Sequence, residues 1–118
     1  MNIKIKNINL ELQYTSRAFI HFEDMTGNSY DPNNMMGTKN QVIMFLCFIL
    51  GSIEKQKLNI TFTWDEYLDF LDDNNDYMIL IEFANWFNNE SNARYAQLPK
   101  EEETDDMPVQ KGKKKVKD

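Results

Sequence analysis

The chain has 118 residues, of which 42% are apolar and 13% are aromatic, and its formal net charge is −6. This length and apolar content predict one compact domain plus a tail. The negative charge argues against a general nucleic-acid binder, because phosphates are met by clustered lysines and arginines. The single cysteine, Cys47, excludes an internal disulfide, and its apolar neighbours indicate a buried free thiol in a reducing compartment.

Neither a targeting segment nor a membrane span is expected. The N-terminus alternates apolar and polar residues and lacks the continuous apolar stretch of a signal peptide. The longest apolar run, 42–50, is about half of the ~20 residues that a helix needs to cross a bilayer. We therefore expect a soluble, cytoplasmic protein.

The N-terminal residues predict a two-stranded antiparallel hairpin. Apolar residues fall at odd positions up to Ile5 and at even positions from Ile8 onward. Side chains alternate between the faces of a strand, so this change of parity would move the apolar set to the wrong face. A two-residue turn at Lys6-Asn7 restores the face. The resulting pairs are Ile5 with Ile8 and Ile3 with Leu10.

Four helices are expected after the hairpin, at about 16–26, 38–56, 63–71 and 76–88, with a continuation of the last to about residue 95. The second is apolar nearly all round, which indicates the central, most buried element. The expected capping residues are Thr15 or Ser16 before the first helix, Gly27 after it, and the capping boxes Thr38-x-x-Gln41 and Thr63-x-x-Glu66.

The fold class that follows is α+β and mainly helical, with one compact domain over residues 1–98 and a disordered, charged tail over 99–118. In the third helix, Trp64, Leu68 and Leu71 are expected on one face, with Tyr67 and Phe70 flanking it. The side chains predicted to be largely buried are Phe19, Phe22, Phe45, Leu46, Ile49, Leu68 and Leu71.

No catalytic residue, cofactor or metal site is predicted. His21 has no nucleophile or orienting partner in a recognisable motif. His21 and Cys47 are the single histidine and the single cysteine, which are too few ligands for a zinc site of cysteines and histidines. The segment 72–76 matches the first ligand positions of a calcium loop. However, Tyr77 and Phe83 stand where that loop requires glycine and glutamate.

Two groups of residues are candidates for contact with a partner. The acidic residues between 65 and 76 form either a partner-binding face or, as we favour, the solvated side of the third helix. The aromatic surplus of so small a domain indicates a very tight core or a subunit interface, and the latter implies a homo-oligomer. Core packing is expected for Trp64, Phe83 and Phe87. The candidate partner-binding residues are Trp64, Tyr67, Phe70 and Trp86.

The order of several features carries a family resemblance. They are the hairpin, the helix Phe19-x-x-Phe22-Glu23-x-x-Thr26-Gly27, the apolar second helix, the stretch from Thr63 to Asp72, an aromatic-rich helix and a lysine-rich tail. In this order the chain resembles, over roughly Ile3 to Asn88, the tail assembly chaperones of long-tailed (siphovirus-like) phages and prophages. The resemblance implies a non-enzymatic protein of the bacterial cytoplasm. It would bind the tape-measure protein, keep its hydrophobic helices soluble and help recruit tail-tube subunits.

Two other classes of function remain open. An acidic interaction or regulatory protein of a mobile element, such as an inhibitor that mimics nucleic acid, requires a continuous acidic face along the third helix and the turn after it. A small enzyme with a carboxylate-based site requires a deep polar pocket with converging Asp or Glu side chains.

Overall fold

The computed structural model describes residues 1–31, 38–74 and 76–97. They form an N-terminal two-stranded antiparallel hairpin followed by four helices, so the α+β, mainly helical fold class is confirmed. The elements are β1 Asn2–Ile5, β2 Ile8–Glu11, α1 Ser16–Thr26, α2 Thr38–Gln56, α3 Trp64–Asp73 and α4 Asp76–Gln97.

Packing divides the chain into two units, Met1–Asn88 and Asn89–Asp118. In the second unit the described residues are the last turns of α4, where Arg94 Nη1 lies 2.7 Å from Glu90 Oε1. The predicted domain boundary after residue 98 stays a prediction, and the predicted tail lies outside the described residues. The core and the candidate site belong to the first unit.

The hairpin turn forms at Lys6-Asn7, and the predicted register is confirmed. Ile5 pairs with Ile8, and Ile3 pairs with Leu10. Both turn residues have positive φ, 51° and 64°, as a type I′ turn requires. Ile3 and Leu10 are both buried, so the turn does bring the two apolar sets to one face.

Helix α1 begins and ends at its predicted caps. The Thr15 hydroxyl oxygen accepts a hydrogen bond of 3.3 Å from the backbone N–H of Arg17. Gly27 has φ 76° and donates its N–H to the Glu23 carbonyl at 2.8 Å, which closes the last turn. The buried face of this helix is carried by Ala18 and Phe22.

Helix α2 is the centre of the core, as predicted. Nine of the ten residues from Met44 to Ile53 are buried. So many buried positions in a row require that α2 has neighbours on more than one side. One neighbour is α1, and it lies close at Gly51. A Cβ at this position would stand 3.0 Å from the Ala18 backbone nitrogen. Thr38 is the first residue of α2 and the residue before it lies outside the described residues, so the capping box at Thr38 stays a prediction.

Helix α3 has the predicted capping box but buries a different face. The Thr63 hydroxyl accepts from the Glu66 N–H at 3.1 Å, and the Glu66 carboxylate accepts from the Thr63 N–H at 2.8 Å. Of the predicted face of Trp64, Leu68 and Leu71, only Leu71 is buried. The buried residues are Tyr67, Phe70 and Leu71.

The position of Tyr67 explains this rotation of α3. Its hydroxyl donates to the Val42 carbonyl of α2 at 2.6 Å, and its ring lies 6.4 Å from that of Phe45. With Tyr67 turned inward, the Trp64 side chain remains 50% exposed, so its assignment to the core is wrong. Among the seven residues predicted to be buried, five are, while Phe19 and Leu68 are half-buried against the core.

The capping box makes a measurable contribution to stability. We expect Thr63→Ala to lower the free energy of unfolding by about 1 kcal/mol, because the Glu66 N–H loses its acceptor. Urea denaturation measures this loss. Thr61→Ala is the control, since the Thr61 side chain is exposed and its backbone carbonyl keeps its bond from Lys6. Equal losses for the two variants would contradict the capping assignment.

Candidate functional site

An apolar groove of about 350 Å³ lies where α1, α2 and the start of α3 meet. Its apolar lining side chains are Met25, Ile43, Leu46, Leu50, Phe62 and Trp64. Helix α2 contributes Ile43, Leu46 and Leu50, which stand at i, i+3 and i+7 and therefore form one stripe over two turns. Met25 comes from the last turn of α1, and Phe62 and Trp64 come from the chain at the start of α3.

The groove is open to solvent, and large apolar side chains border it. Trp64 is 50% exposed and Met25 is 45% exposed, whereas the core residues are at most 8% exposed. Ile43, Leu50 and Phe62 are partly buried. Clustered exposed apolar side chains are typical of a binding surface, whereas single ones are ordinary. This cluster is the candidate site.

A buried thiol lies beneath the groove. The Cys47 Sγ is 3.8 Å from the Met25 Sδ, and the Cys47 side chain has no exposed surface. Burial raises the pKa of Cys47 to about 12, so the thiol is protonated at neutral pH and is a weak nucleophile. The predicted buried free thiol is confirmed, and its role is packing under Met25.

The structure separates the four candidate partner-binding residues. Trp64 lines the groove, and Trp86 on α4 is half-buried with its ring 5.6 Å from that of Phe48. Tyr67 and Phe70 lie in the core. Burial raises the pKa of the Tyr67 hydroxyl well above its usual range. The core encloses Tyr67 and Phe70, and Trp86 does not line the groove, so only Trp64 of the four belongs to the candidate site.

Most of the groove was not anticipated as a site. The sequence pattern predicts burial for Leu46 and indicates no binding role for Met25 or Leu46. The stripe of Ile43, Leu46 and Leu50 is visible in the sequence, but it stands within a helix that is apolar all round. Only the position of the chain before α3 shows which side of α2 remains uncovered.

The acidic residues of α3 face the solvent. Asp65, Glu66, Asp69, Asp72 and Asp73 are all exposed, which both interpretations of this set require, and the Asp76 side chain lies outside the described residues. Glu66 Oε2 lies 3.3 Å from Lys6 Nζ. The Thr63 backbone N–H and then Lys6 lower the pKa of Glu66.

A polar depression of about 430 Å³ lies between the hairpin turn and α3. Its lining includes Glu66, Asp69 and Asp73, which are exposed. Acid–base catalysis by paired carboxylates needs apolar enclosure of the carboxylates to separate their pKa values, whereas these three carboxylates are exposed to solvent. His21 is also engaged elsewhere, since its Nε2 lies 2.8 Å from the Glu54 carboxylate.

In the parts of the chain that the structure describes, no three His, Cys, Asp or Glu side chains lie close enough together to hold a metal ion. None of the helices in residues 1–31, 38–74 and 76–97 combines the length and apolarity that a bilayer span needs. Neither a family model nor a curated protein nor a solved structure matches the chain.

Proposed function

We propose that this protein is a non-enzymatic assembly chaperone of the bacterial cytoplasm. Its groove binds apolar helical segments of a tape-measure-like phage protein, and the protein helps recruit tail-tube-like subunits. The observation that carries the proposal is the open apolar groove bordered by Met25 and Trp64. The resemblance of the sequence to tail assembly chaperones supplies the identity of the partners.

The groove has the form that suits a helical segment. An amphipathic helix enters an apolar groove through side chains at i, i+3, i+4 and i+7. The stripe from Ile43 to Leu50 spans about 10 Å at a rise of about 1.5 Å per residue. That length accommodates two turns of a partner helix. Trp64 adds an aromatic ring at the border of the groove. Tryptophan is among the residue types that most often dominate binding energy.

Net charge supports a chaperone role in a second way. A protein that exposes apolar surface to capture aggregation-prone helices needs charge to prevent its own association. The formal net charge of −6 provides mutual repulsion between free copies. The exposed acids of α3 provide part of that charge.

Co-expression with a tape-measure-like phage protein tests the proposal. We expect that protein to be more soluble in the presence of this chain, and the two to elute together on size exclusion. If its solubility is unchanged and no complex elutes, the chaperone role is rejected.

Substitutions in the groove test where the partner binds. We expect Trp64→Ala to weaken binding at least about tenfold, because tryptophan is enriched among the residues that dominate binding energy and the exposed half of this indole can be covered by a partner. Met25→Ser should weaken it to a smaller extent. Titration calorimetry with a tape-measure-like segment measures both dissociation constants.

The matched control is Met78→Ser on α4. Met78 is 53% exposed, close to the 45% of Met25, but it does not line the groove. The same chemical change should leave binding unaltered there. Equal weakening by Met25→Ser and Met78→Ser would place the partner elsewhere.

The outer side of α3 supports a second candidate, an acidic interaction protein that mimics nucleic acid. Asp65, Asp69 and Asp72 stand at i, i+4 and i+7, and all three are exposed, so they form one acidic stripe. A mimic would lose its partner when these acids are replaced by asparagine, and Met25→Ser would leave that binding intact. The proposed chaperone predicts that Met25→Ser weakens binding.

A further inference from the structure

The Met25 side chain borders the apolar groove, is half exposed and contacts the Cys47 thiol beneath it. From this arrangement we propose that Met25 is a site of reversible oxidation. A peroxide converts it to one of its two sulfoxide epimers, and the sulfoxide closes the groove to apolar helices. The effect on helix binding rests on the proposed function, whereas the site and its stereochemistry are independent of that function.

Solvent reaches Met25 but not two sulfur atoms of α2. Met25 is 45% exposed, whereas Met44 is 2% exposed and Cys47 has no exposed surface. The susceptibility of sulfur to oxidation follows its exposure. Burial also raises the pKa of Cys47 to about 12, and the thiolate is the form of cysteine that reacts as a nucleophile. The thiol is therefore protected, and a peroxide in the groove meets the thioether of Met25.

The Cys47 thiol occupies one side of the Met25 sulfur. A thioether sulfur has two lone pairs, one on each side of its C–S–C plane, and oxygen added to one or the other gives the two sulfoxide epimers. Cys47 Sγ lies 3.8 Å from Met25 Sδ and donates its S–H to one of these lone pairs. A peroxide that arrives through the open groove meets the other lone pair. The contact thus selects one epimer, because Cys47 is enclosed in the core and blocks its own side.

The oxidation transfers one oxygen atom to sulfur and two electrons to the peroxide. The free lone pair of Met25 Sδ attacks one oxygen of hydrogen peroxide, and the S–O bond forms as the O–O bond breaks. The released hydroxide takes the proton of the transferred hydroxyl group and leaves as water. A methionine sulfoxide reductase reverses the change with two thiols, which become a disulfide while the oxygen leaves as water.

A sulfoxide at this position changes the chemistry of the groove. The groove is lined mainly by aliphatic and aromatic side chains, and oxidation turns a flexible apolar side chain into a polar one. An apolar helix that covers the sulfoxide removes the water that hydrogen-bonds its oxygen, and this loss opposes binding. Because Met25 is half exposed, the fold does not depend on its burial. Oxidation is therefore expected to lower the affinity for apolar helices and to leave the domain folded.

Peroxide treatment of the full chain, followed by mass spectrometry, tests the site. We expect the sulfoxide to form at least about tenfold faster at Met25 than at Met44, which is accessible only after local opening. The epimers are measured after proteolysis with two reductases, each of which accepts one epimer. One reductase should restore most of the Met25 sulfoxide. The matched control is Met78, which is 53% exposed, and the two reductases should share its sulfoxide about equally, because the single thiol of the chain contacts Met25 instead.

Removal of the thiol contact tests the cause of the selectivity. We expect Cys47→Ala to yield nearly equal amounts of the two Met25 epimers, because neither lone pair then has a partner. Circular dichroism establishes that the variant is folded. The wild-type chain oxidised in denaturing urea gives the same information without a substitution, since unfolding separates Met25 from Cys47 and should also equalise the epimers.

Calorimetry with a synthetic peptide tests the effect on the groove. The peptide has about 14 residues, or four turns, with leucines at i, i+3, i+4 and i+7. Each protein is compared with its own untreated form. Peroxide should weaken binding to the wild-type chain about tenfold, and the reductase should restore it. Met25→Leu conserves volume and cannot form a sulfoxide, so treatment should not change its affinity. Met78→Leu, the matched control, should lose affinity on treatment as the wild-type chain does.

Several results would overturn the proposal. They are a Met25 sulfoxide that forms no faster than that of Met44, equal epimers at Met25 in the folded chain, equal peptide binding by treated and untreated wild-type chain, and an equal loss on treatment for Met25→Leu. A chain that binds neither the peptide nor the tape-measure-like protein rejects the proposed function and with it the effect on binding. The epimer ratio decides the modification site in either case.

Discussion

Replacing Phe45 with alanine is expected to lower the free energy of unfolding by about 3–5 kcal/mol. Phe45 has no exposed surface and lies at the centre of α2. Its ring centroid is 4.9 Å from that of Phe83 and 6.2 Å from that of Phe70, so it joins α2 to both α3 and α4. Truncation removes these contacts and leaves a cavity that a small core fills poorly. Chemical denaturation followed by circular dichroism measures the loss.

An exposed residue provides the comparison for Phe45. Ile20 on α1 is 58% exposed, and Ile20→Ala should change stability by no more than about 0.5 kcal/mol. A loss below about 1 kcal/mol for Phe45→Ala would show that α2 is not the central element of the core.

Gly51→Val is expected to destabilise the protein by about 1–3 kcal/mol, because α1 passes too close for a side chain. The Cβ alone would stand 3.0 Å from the Ala18 backbone nitrogen and 3.0 Å from the Thr15 Cγ2. Backbone cannot yield as a flexible side chain does, so α1 has to move as a unit. The higher helix propensity of valine relative to glycine offsets this loss of stability by only a few tenths of a kcal/mol. Thermal and urea denaturation measure the net effect.

A double-mutant cycle with Thr15→Ser identifies the cause. Serine lacks the Cγ2 but keeps the hydroxyl that accepts from the Arg17 N–H, so the cap of α1 remains. We expect Thr15→Ser to recover part of the stability that Gly51→Val removes, as a positive coupling between two contacting sites. Strict additivity of the two changes would show that the side-chain contact is not the source of the loss.

The hairpin and the helix ends were predictable because local rules determine them. The change of parity at Lys6-Asn7 admits a two-residue turn and little else, and the structure has that turn and its register. The caps at Thr15, Gly27 and Thr63 depend on backbone groups within a few residues. Such features need no knowledge of the tertiary packing.

The buried face of α3 and the groove were not predictable in the same way. Periodicity alone allows either Trp64 and Leu68 or Tyr67 and Phe70 to face inward, because aromatic residues occupy both sides of the helix. The choice depends on long-range contacts with α2, namely the hydrogen bond from Tyr67 to the Val42 carbonyl and the ring contacts of Tyr67 and Phe70 with Phe45. The groove likewise arises only when α1, α2 and the chain before α3 come together, so no single segment of the sequence encodes it.

The two tryptophans of this chain stand in unlike surroundings, and this gives the protein an intrinsic optical reporter. Trp64 is half in water at the groove border, whereas Trp86 packs against Phe48 and Phe83, with ring centroids 5.6 Å and 6.0 Å away. Indole emission moves to shorter wavelength when water leaves the ring. A helix that covers the groove dehydrates Trp64 and leaves Trp86 as it was. A shift of the tryptophan emission to shorter wavelength would therefore report occupancy of the groove in the unlabelled protein.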